Sequence, residues 1–318
     1  MNGNRYGFCI NTLSMNPSFT VVYDKDLNLK PGTRNICDGY GIHGPTGGVC
    51  ISYHLQKMGI KTDAFGFEGG LFGRLMLEFL KDNGIGTKFV HTNHETVLST
   101  VTREIKGYIT TQLDYVSGEE ITMDEYFTLT KMMRECEDVP EYFVLSGTYP
   151  DCLVFAIYPD LIDMLHQQNI KVVTDFSGAD VRLAVRQHPE FIVVGKDELY
   201  DLLFYEIDTL PSAMAALKRL SAETGQTFLC TLGHRGAVYS AKDMMCSCIL
   251  KRNKTENPYA RSAFIASFLK GYEFSCHDVE YALKYAVSYS SAIKKNGEEP
   301  EFDKVYKNFN NLNYTRYF

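Results

Sequence analysis

Apolar residues in this chain come in short continuous runs, separated by longer segments with helical periodicity. Residues 6–13, 62–67, 142–146, 171–175, 191–194 and 228–232 are apolar nearly throughout and are bounded by polar residues or glycine. Such runs fit strands of a parallel sheet covered on both faces, where neither side-chain direction meets water. Between them, 47–58, 71–83, 154–168, 199–205, 211–224, 260–271 and 279–295 predict helices. The first offers Val49, Tyr53, Leu55 and Met58 for a core face, and Gly84 ends the second. The alternation predicts a doubly wound α/β fold, with a mostly parallel sheet sandwiched by helices.

Two segments break the alternation. Residues 20–24 and 97–115 read as strands with no helix beside them, and the second contains Lys106-Gly107, a hairpin turn signal between Thr-rich runs. These strands are expected to form a small lid, over about 20–40 and 95–116, inserted in one domain spanning 1–318. Residues 308–318, rich in Asn and aromatic side chains, read as a loosely packed tail.

Composition narrows the function classes. The chain has 318 residues, 45% hydrophobic and 22% charged, with a net charge of -7. An acidic chain without a basic block is a poor partner for nucleic acid or an anionic membrane surface. No apolar run approaches the ~18 residues of a membrane span. Residues 1–5 lead into an apolar strand without the long apolar stretch of a signal peptide. The nine cysteines are scattered with no Cys-x-x-Cys pair, and Cys246 and Cys248, two apart, would face the same side of a strand. Thiols in a reducing, cytoplasmic setting are expected, not a metal site. His91 and His94 read as loop residues without a ligand cluster around them.

Five motifs then appear in order. They are Thr12-Leu13-Ser14-Met15-Asn16-Pro17, Gly66-Phe67-Glu68-Gly69-Gly70-Leu71-Phe72-Gly73, Ser146-Gly147-Thr148-Tyr149-Pro150, Asp175-Phe176-Ser177-Gly178 and Thr231-Leu232-Gly233-His234-Arg235-Gly236-Ala237. On these the chain resembles the ribokinase-like pfkB sugar kinases over roughly 6–295, in particular the 1-phosphofructokinase and tagatose-6-phosphate kinase subgroup. Their glycines sit at strand ends, where a turn or a close backbone approach needs them, so the motifs speak for the fold before they speak for activity.

The resemblance implies ATP and Mg2+ as cofactors if the protein is active, and a sugar or sugar phosphate as substrate. Phosphoryl transfer needs a carboxylate for the hydroxyl proton, bare N–H groups at a helix start and cations for the triphosphate. In the family a Gly-Ala-Gly-Asp segment supplies the first two. The helix that follows it is matched here by Ala263-Phe264-Ile265-Ala266-Ser267-Phe268-Leu269-Lys270-Gly271. Ser262 therefore falls on the catalytic Asp, and Arg261 and Tyr259 fall on the two glycines. The sugar-holding Gly-Gly-Lys-Gly-x-Asn appears as Pro45-Thr46-Gly47-Gly48-Val49-Cys50, and the sugar-hydroxyl Asp falls on Thr20. The metal-organising Asn-x-x-Glu becomes Gly195-Lys196-Asp197-Glu198, which keeps only the Glu. The flap's phosphate-gripping Thr-Arg-x-Asn is matched by Thr96-Val97-Leu98-Ser99.

Each position also has a plain structural reading. Arg261 would point to solvent or pair with Glu256, or else bind an anion or fill the vacated phosphate site. Gly233 and Gly236 would form a turn, or line a nucleotide pocket. Glu198 would favour a helix start, or bind metal through water. Asp175 would cap a turn, or line the cleft, and Tyr259 would plug it. Three functions stay open: an impaired kinase homologue that binds a ligand or partner, an active phosphotransferase with substituted residues, and a structural protein. Members of the family it resembles often dimerise through the flap, and a homodimer through the lid strands is expected here, because unpaired strand edges favour pairing.

Overall fold

The computed structural model describes residues 7–27, 30, 32–36, 40–104, 110–115, 120–148, 157–176, 180–207, 209–250 and 257–318. In chain order the elements are β1 (Ile10–Ser14), β2 (Ser18–Leu27), β3 (Gly41–Pro45), α1 (Gly48–Lys57), β4 (Asp63–Glu68), α2 (Gly70–Asp82), β5 (Gly86–His91), β6 (Val97–Glu104) and β7 (Thr110–Tyr115). Then come α3 (Met123–Arg134), β8 (Tyr142–Ser146), α4 (Ile157–His166), β9 (Lys171–Asp175), α5 (Asp180–Arg186), β10 (Phe191–Val194), α6 (Lys196–Leu203) and α7 (Leu210–Thr224). The chain continues through β11 (Phe228–Thr231), β12 (Gly236–Ala241), β13 (Met244–Leu250), α8 (Ala260–Phe274), α9 (Val279–Ser290), α10 (Phe302–Asn310) and β14 (Leu312–Arg316).

Ten strands form the main sheet in the order β14-β13-β12-β11-β10-β9-β8-β1-β4-β5. Pairing is parallel from β11 through to β5 and antiparallel at the β11–β14 end. The apolar runs owe their continuity to burial on both faces. In β8, Tyr142 and Val144 join one core cluster with α1, α8 and α9, while Phe143 and Leu145 join another with α3 and α4. In β10, Phe191 and Val193 face the first of these, and Ile192 and Val194 pack with α6 and α7. Strand order reverses between β1 and β8, the place where open α/β sheets hold ligands beyond their strand ends.

Helix α8 runs through the first of these layers, and Ser262 to Leu269 are all buried. Small residues let it approach α9 closely: a Cβ on Gly271 would lie 3.1 Å from the Ala282 Cα. On its sheet-facing side Phe264, Phe268 and Tyr272 stack at centroid separations of 6.1 and 5.7 Å, with Phe191 edge-on to Phe268 at 5.3 Å.

A second, four-stranded sheet has the order β3-β2-β6-β7, so both segments that broke the alternation meet in it. The expected Lys106-Gly107 turn lies outside the described residues. The C-terminal expectation needs correction. Residues 308–318 are not a loose tail: β14 pairs with β13 from Cys246↔Arg316 to Leu250↔Leu312, and the Tyr317 hydroxyl lies 3.0 Å from Ser247 Oγ. The edge of β13 supplied backbone partners that polar composition alone does not reveal.

Candidate functional site

The parallel strands end in a row of polar groups. Ser14 closes β1, Ser146 closes β8, Asp175 closes β9, Gly195 comes directly after β10 and Thr231 closes β11. Helix α1 starts directly over the first of these, with the Gly48 N–H donating to Ser14 Oγ at 2.8 Å. Gly47 has φ +64°, and a Cβ there would lie 3.1 Å from Ser14 Oγ and 3.7 Å from Ser146 Oγ. Gly47 thus occupies the crevice at the strand-order reversal. At Gly48 a Cβ would lie 2.8 Å from the Leu13 carbonyl, so close packing alone demands glycine there.

Helix α8 brings its first turn across the same strand ends, and Arg261 is the hub of a polar network there. Its Nε donates to Asp175 Oδ1 at 2.6 Å, its Nη1 to Glu198 Oε2 at 2.9 Å and its Nη2 to the Val193 carbonyl at 3.3 Å. The network extends at both ends. Ser146 Oγ donates to Asp175 Oδ2 at 2.8 Å, and the Gly195 N–H donates to Glu198 Oε2 at 2.7 Å. Burial opposes the Arg261 charge, but the Asp175 and Glu198 carboxylates beside it hold its pKa above the usual guanidinium value. Both carboxylate side chains are 9% exposed and that of Arg261 28%. The expectation that Arg261 points to solvent is therefore corrected, although the side chain keeps some solvent contact. Glu256 lies outside the described residues, and the guanidinium turns inward to two carboxylates from other elements.

The remaining positions divide between this network and its surroundings. Ser262 is buried, and its hydroxyl donates to the Gly47 carbonyl at 3.5 Å. It also hydrogen-bonds Cys50, whose thiol burial pushes up to about 12, against a small opposing effect of that bond. Neither partner is a base able to activate a serine, and a thiol so raised stays protonated. Glu198 sits in α6 at the third helical position, where its carboxylate returns to the Gly195 N–H at the helix start. Glu198 thus takes the helix-start reading, and Asp175 lies with Ser146 and Arg261 at the strand ends.

The ring of Tyr259 turns away from the carboxylates and lies against Gly297, where a Cβ would come within 2.7 Å of it. It lines a cavity of about 340 Å³ with Cys50, Tyr53, Phe79, Asn83 and Glu299, which Asp175, Glu198, Arg261 and Ser262 do not line. Tyr53 spans this cavity's wall by donating its hydroxyl to Glu299 Oε2 at 2.5 Å. Thr20 is placed in the second sheet, opposite Ser99, and both side chains are buried there. Thr96 is tied to the β4–α2 turn, its Oγ1 accepting from the Gly69 N–H at 3.2 Å. Gly233 opens a short turn after β11, with φ +57°. Gly236 packs against β13, where a Cβ would fall 2.1 Å from the Cys248 carbonyl. That contact requires glycine whether or not a nucleotide lies nearby.

The site does not fit the metal that the resemblance implies. A divalent cation needs several oxygen ligands free to coordinate it. Here Asp175 and Glu198 both bond Arg261, and among the described residues no group of three or more His, Cys, Asp or Glu side chains is placed to hold a metal. The helix start fits an anion no better. The Ala260 N–H bonds the Asn257 carbonyl at 3.0 Å and the Tyr259 N–H bonds Asn257 Oδ1 at 3.0 Å. Asn257, Ser146 and Gly195 carry no sequence signal of their own as site residues, although Ser146 and Gly195 stand inside matched motifs.

A crevice at the strand-order reversal, roofed by the starts of two helices, is where an open α/β sheet holds its ligand, and comparison with known proteins gives the class. Residues 44–296 match the pfkB family carbohydrate kinases, and the chain belongs to that family. Its relatives are sugar-phosphate kinases. The 1-phosphofructokinase of Borreliella burgdorferi is 24% identical, covering 94% of this chain and 95% of its own. That of Bacillus subtilis is 23% identical over 82% and 85%. The tagatose-6-phosphate kinase of Staphylococcus epidermidis is 25% identical over 78% and 79%. In solved structures, phosphofructokinase-2 from Escherichia coli in complex with substrates and products shares the fold with a TM-score of 0.83, at 18% identity over 95% of this chain and 98% of that one. No helix among the described residues is long and apolar enough to cross a membrane.

Proposed function

We propose that this chain is a pfkB-family homologue impaired in ordinary ATP-dependent phosphoryl transfer, which keeps a binding role for a small ligand or a partner. One observation carries the reading: the Arg261 guanidinium lies between Asp175 and Glu198. It occupies carboxylates that a metal–triphosphate would need, and it projects from a helix start where a phosphoryl group would need bare backbone. The substitution at Ser262 acts in the same direction. Loss of a positioned base alone typically costs ~10²–10⁴ in rate. Here base, anion site and metal ligands change together, and all three act on one transition state.

The retained ligand is taken to be a sugar or sugar phosphate, the substrate class named for the relatives. The crevice at Gly47 and the cavity walled by Cys50 and Tyr259 are the places for it. Thr20 and Ser99 in the second sheet, read as a lid, would close over the crevice. The assembly proposed is a homodimer through that sheet, in the cytoplasm. If the chain is instead active, ATP and Mg2+ would enter beside Gly233, Gly236 and Glu198.

Calorimetry and a coupled turnover assay test this, with ATP–Mg2+ and a panel of sugars and sugar phosphates. A sugar or sugar phosphate bound without turnover is the expected result. Tight ATP binding with sustained turnover would overturn it, and no binding to any of them would favour a purely structural role. The triple change Tyr259→Gly, Arg261→Gly, Ser262→Asp asks whether the scaffold still accepts nucleotide once the changed segment is restored.

A further inference from the structure

We propose that Arg261 is an internal substitute for a divalent cation, and that Asp175, Glu198 and the Val193 carbonyl form a latent metal site which the chain's own guanidinium keeps closed. The proposal rests on the reading of the cleft as impaired for phosphoryl transfer and concerns how its charge is balanced.

Three oxygens surround the guanidinium, at 2.6 Å from Asp175, 2.9 Å from Glu198 and 3.3 Å from Val193. Two carboxylates and a carbonyl are the donor set of a hard cation such as Mg2+, Mn2+ or Ca2+, not of a soft one. Three elements supply them: the end of β9, the end of β10 and the start of α6. Each is anchored independently of Arg261. Asp175 accepts from Ser146, Glu198 accepts from the Gly195 N–H, and Val193 is fixed in the sheet between β9 and β11. Two buried carboxylates that converge on one group require a cation to balance their charge away from water. Arg261 meets that requirement from within the chain.

The room for a larger group is also limited. A Cβ on Gly195 would lie 3.1 Å from Glu198 Oε2 and 3.3 Å from Arg261 Nη1, so the glycine makes space for the guanidinium against the carboxylate. Metal and Arg261 therefore exclude each other at these three oxygens. Removing the guanidinium should open the site.

The test measures Mn2+ uptake, by electron paramagnetic resonance and calorimetry, on the whole chain and on Arg261→Ala. The native protein is expected to take up no Mn2+ in the cleft. Arg261→Ala is expected to bind one equivalent, at least roughly tenfold more tightly than the native chain. Adding Glu198→Gln should abolish that gain, and Mg2+ should compete for it. The thermal midpoint of Arg261→Ala should rise with Mn2+, while that of the native chain does not respond. Arg261→Gln, closer in shape, guards against simple collapse of the fold. Equal Mn2+ binding by the native chain and Arg261→Ala would overturn the proposal. So would folded variants that bind none, or failure of both variants to fold even with millimolar Mn2+. ATP turnover by the native chain would overturn the proposed function but is not an outcome of this measurement. Failure of the variants to take up Mn2+ sinks the metal proposal and leaves the proposed function standing.

Discussion

Arg261 carries its charge in the first turn of α8, where the helix dipole opposes a cation by ~0.3–1 kcal/mol. Asp175 and Glu198 outweigh that effect at 2.6 and 2.9 Å. The sequence alone shows that Tyr259, Arg261 and Ser262 stand where the family keeps glycines and an acid. It does not show the partners of Arg261, which lie 86 and 63 residues away and reach it only through tertiary packing. Asp175→Asn is expected to destabilise the protein by about 1–3 kcal/mol, below the range for fully buried pairs because Arg261 keeps some solvent contact. In an Arg261→Met background the same change should cost much less, and urea unfolding of the four proteins gives the coupling directly. A second buried group sets a pH dependence. His54 is fully buried against Tyr289, 3.3 Å from its Nδ1, and burial lowers its pKa from 6.5 to about 3, with the nearby Glu299 charge opposing. The unfolded chain then binds a proton that the folded chain refuses, so stability falls as pH drops from about 6.5 toward 3, by about 1.4 kcal/mol per unit. His54→Gln is expected to flatten the slope of unfolding free energy below neutral pH, by an amount that approaches about one proton near pH 5, measured in urea.

Elements are legible in the sequence where burial on both faces makes a strand apolar throughout. The runs at 142–146, 171–175 and 191–194 coincide with β8, β9 and β10. Elements with mixed surfaces escape: α3 and α5, each with one buried stripe, and β5, whose residues are mostly half-exposed or exposed. The helix expected over 279–295 overshoots α9, because the apolar pattern continues through Ala292 and Ile293 after the helix ends at Ser290. The motif after β11 shows how one sequence signature holds two different constraints. Gly233 is exposed with φ +57°, so Gly233→Ala meets the ordinary cost of a left-handed backbone, about 1 kcal/mol. Gly236 has φ +133° and no space above it, so Gly236→Ala should cost upward of about 2 kcal/mol, through displacement of β12 from β13. Thermal unfolding of the pair checks this. Equal costs would mean that the β12–β13 contact yields easily and that the glycine is kept for a ligand.

At the scale of the whole molecule, the two sheets differ in how their edges are treated. The main sheet ends on one side at β14, whose polar side chains blunt further pairing. The second sheet ends at β7, where every residue from 111 to 115 is exposed, including Leu113 at 72% and Tyr115 at 51%. Among the described residues its other edge has no strand partner, and such an edge with apolar side chains directed to water is where the second copy of the proposed homodimer would dock. Such a dimer would hold Thr20 and Ser99, which pair across β2 and β6 in the same sheet, in the position proposed for them over the crevice. The proposed assembly therefore couples to the proposed binding role. Leu113→Lys with Tyr115→Lys is expected to shift sedimentation from dimer to monomer while leaving the monomer's secondary structure intact, since neither side chain belongs to a core cluster. It should also weaken ligand binding at concentrations where the native chain is dimeric, because a sheet freed from its partner loses its position over the strand ends. An unchanged dimer would place the interface elsewhere. A monomer with undiminished ligand affinity would show that the second sheet closes the crevice without help from a partner, and would separate the assembly from the binding role.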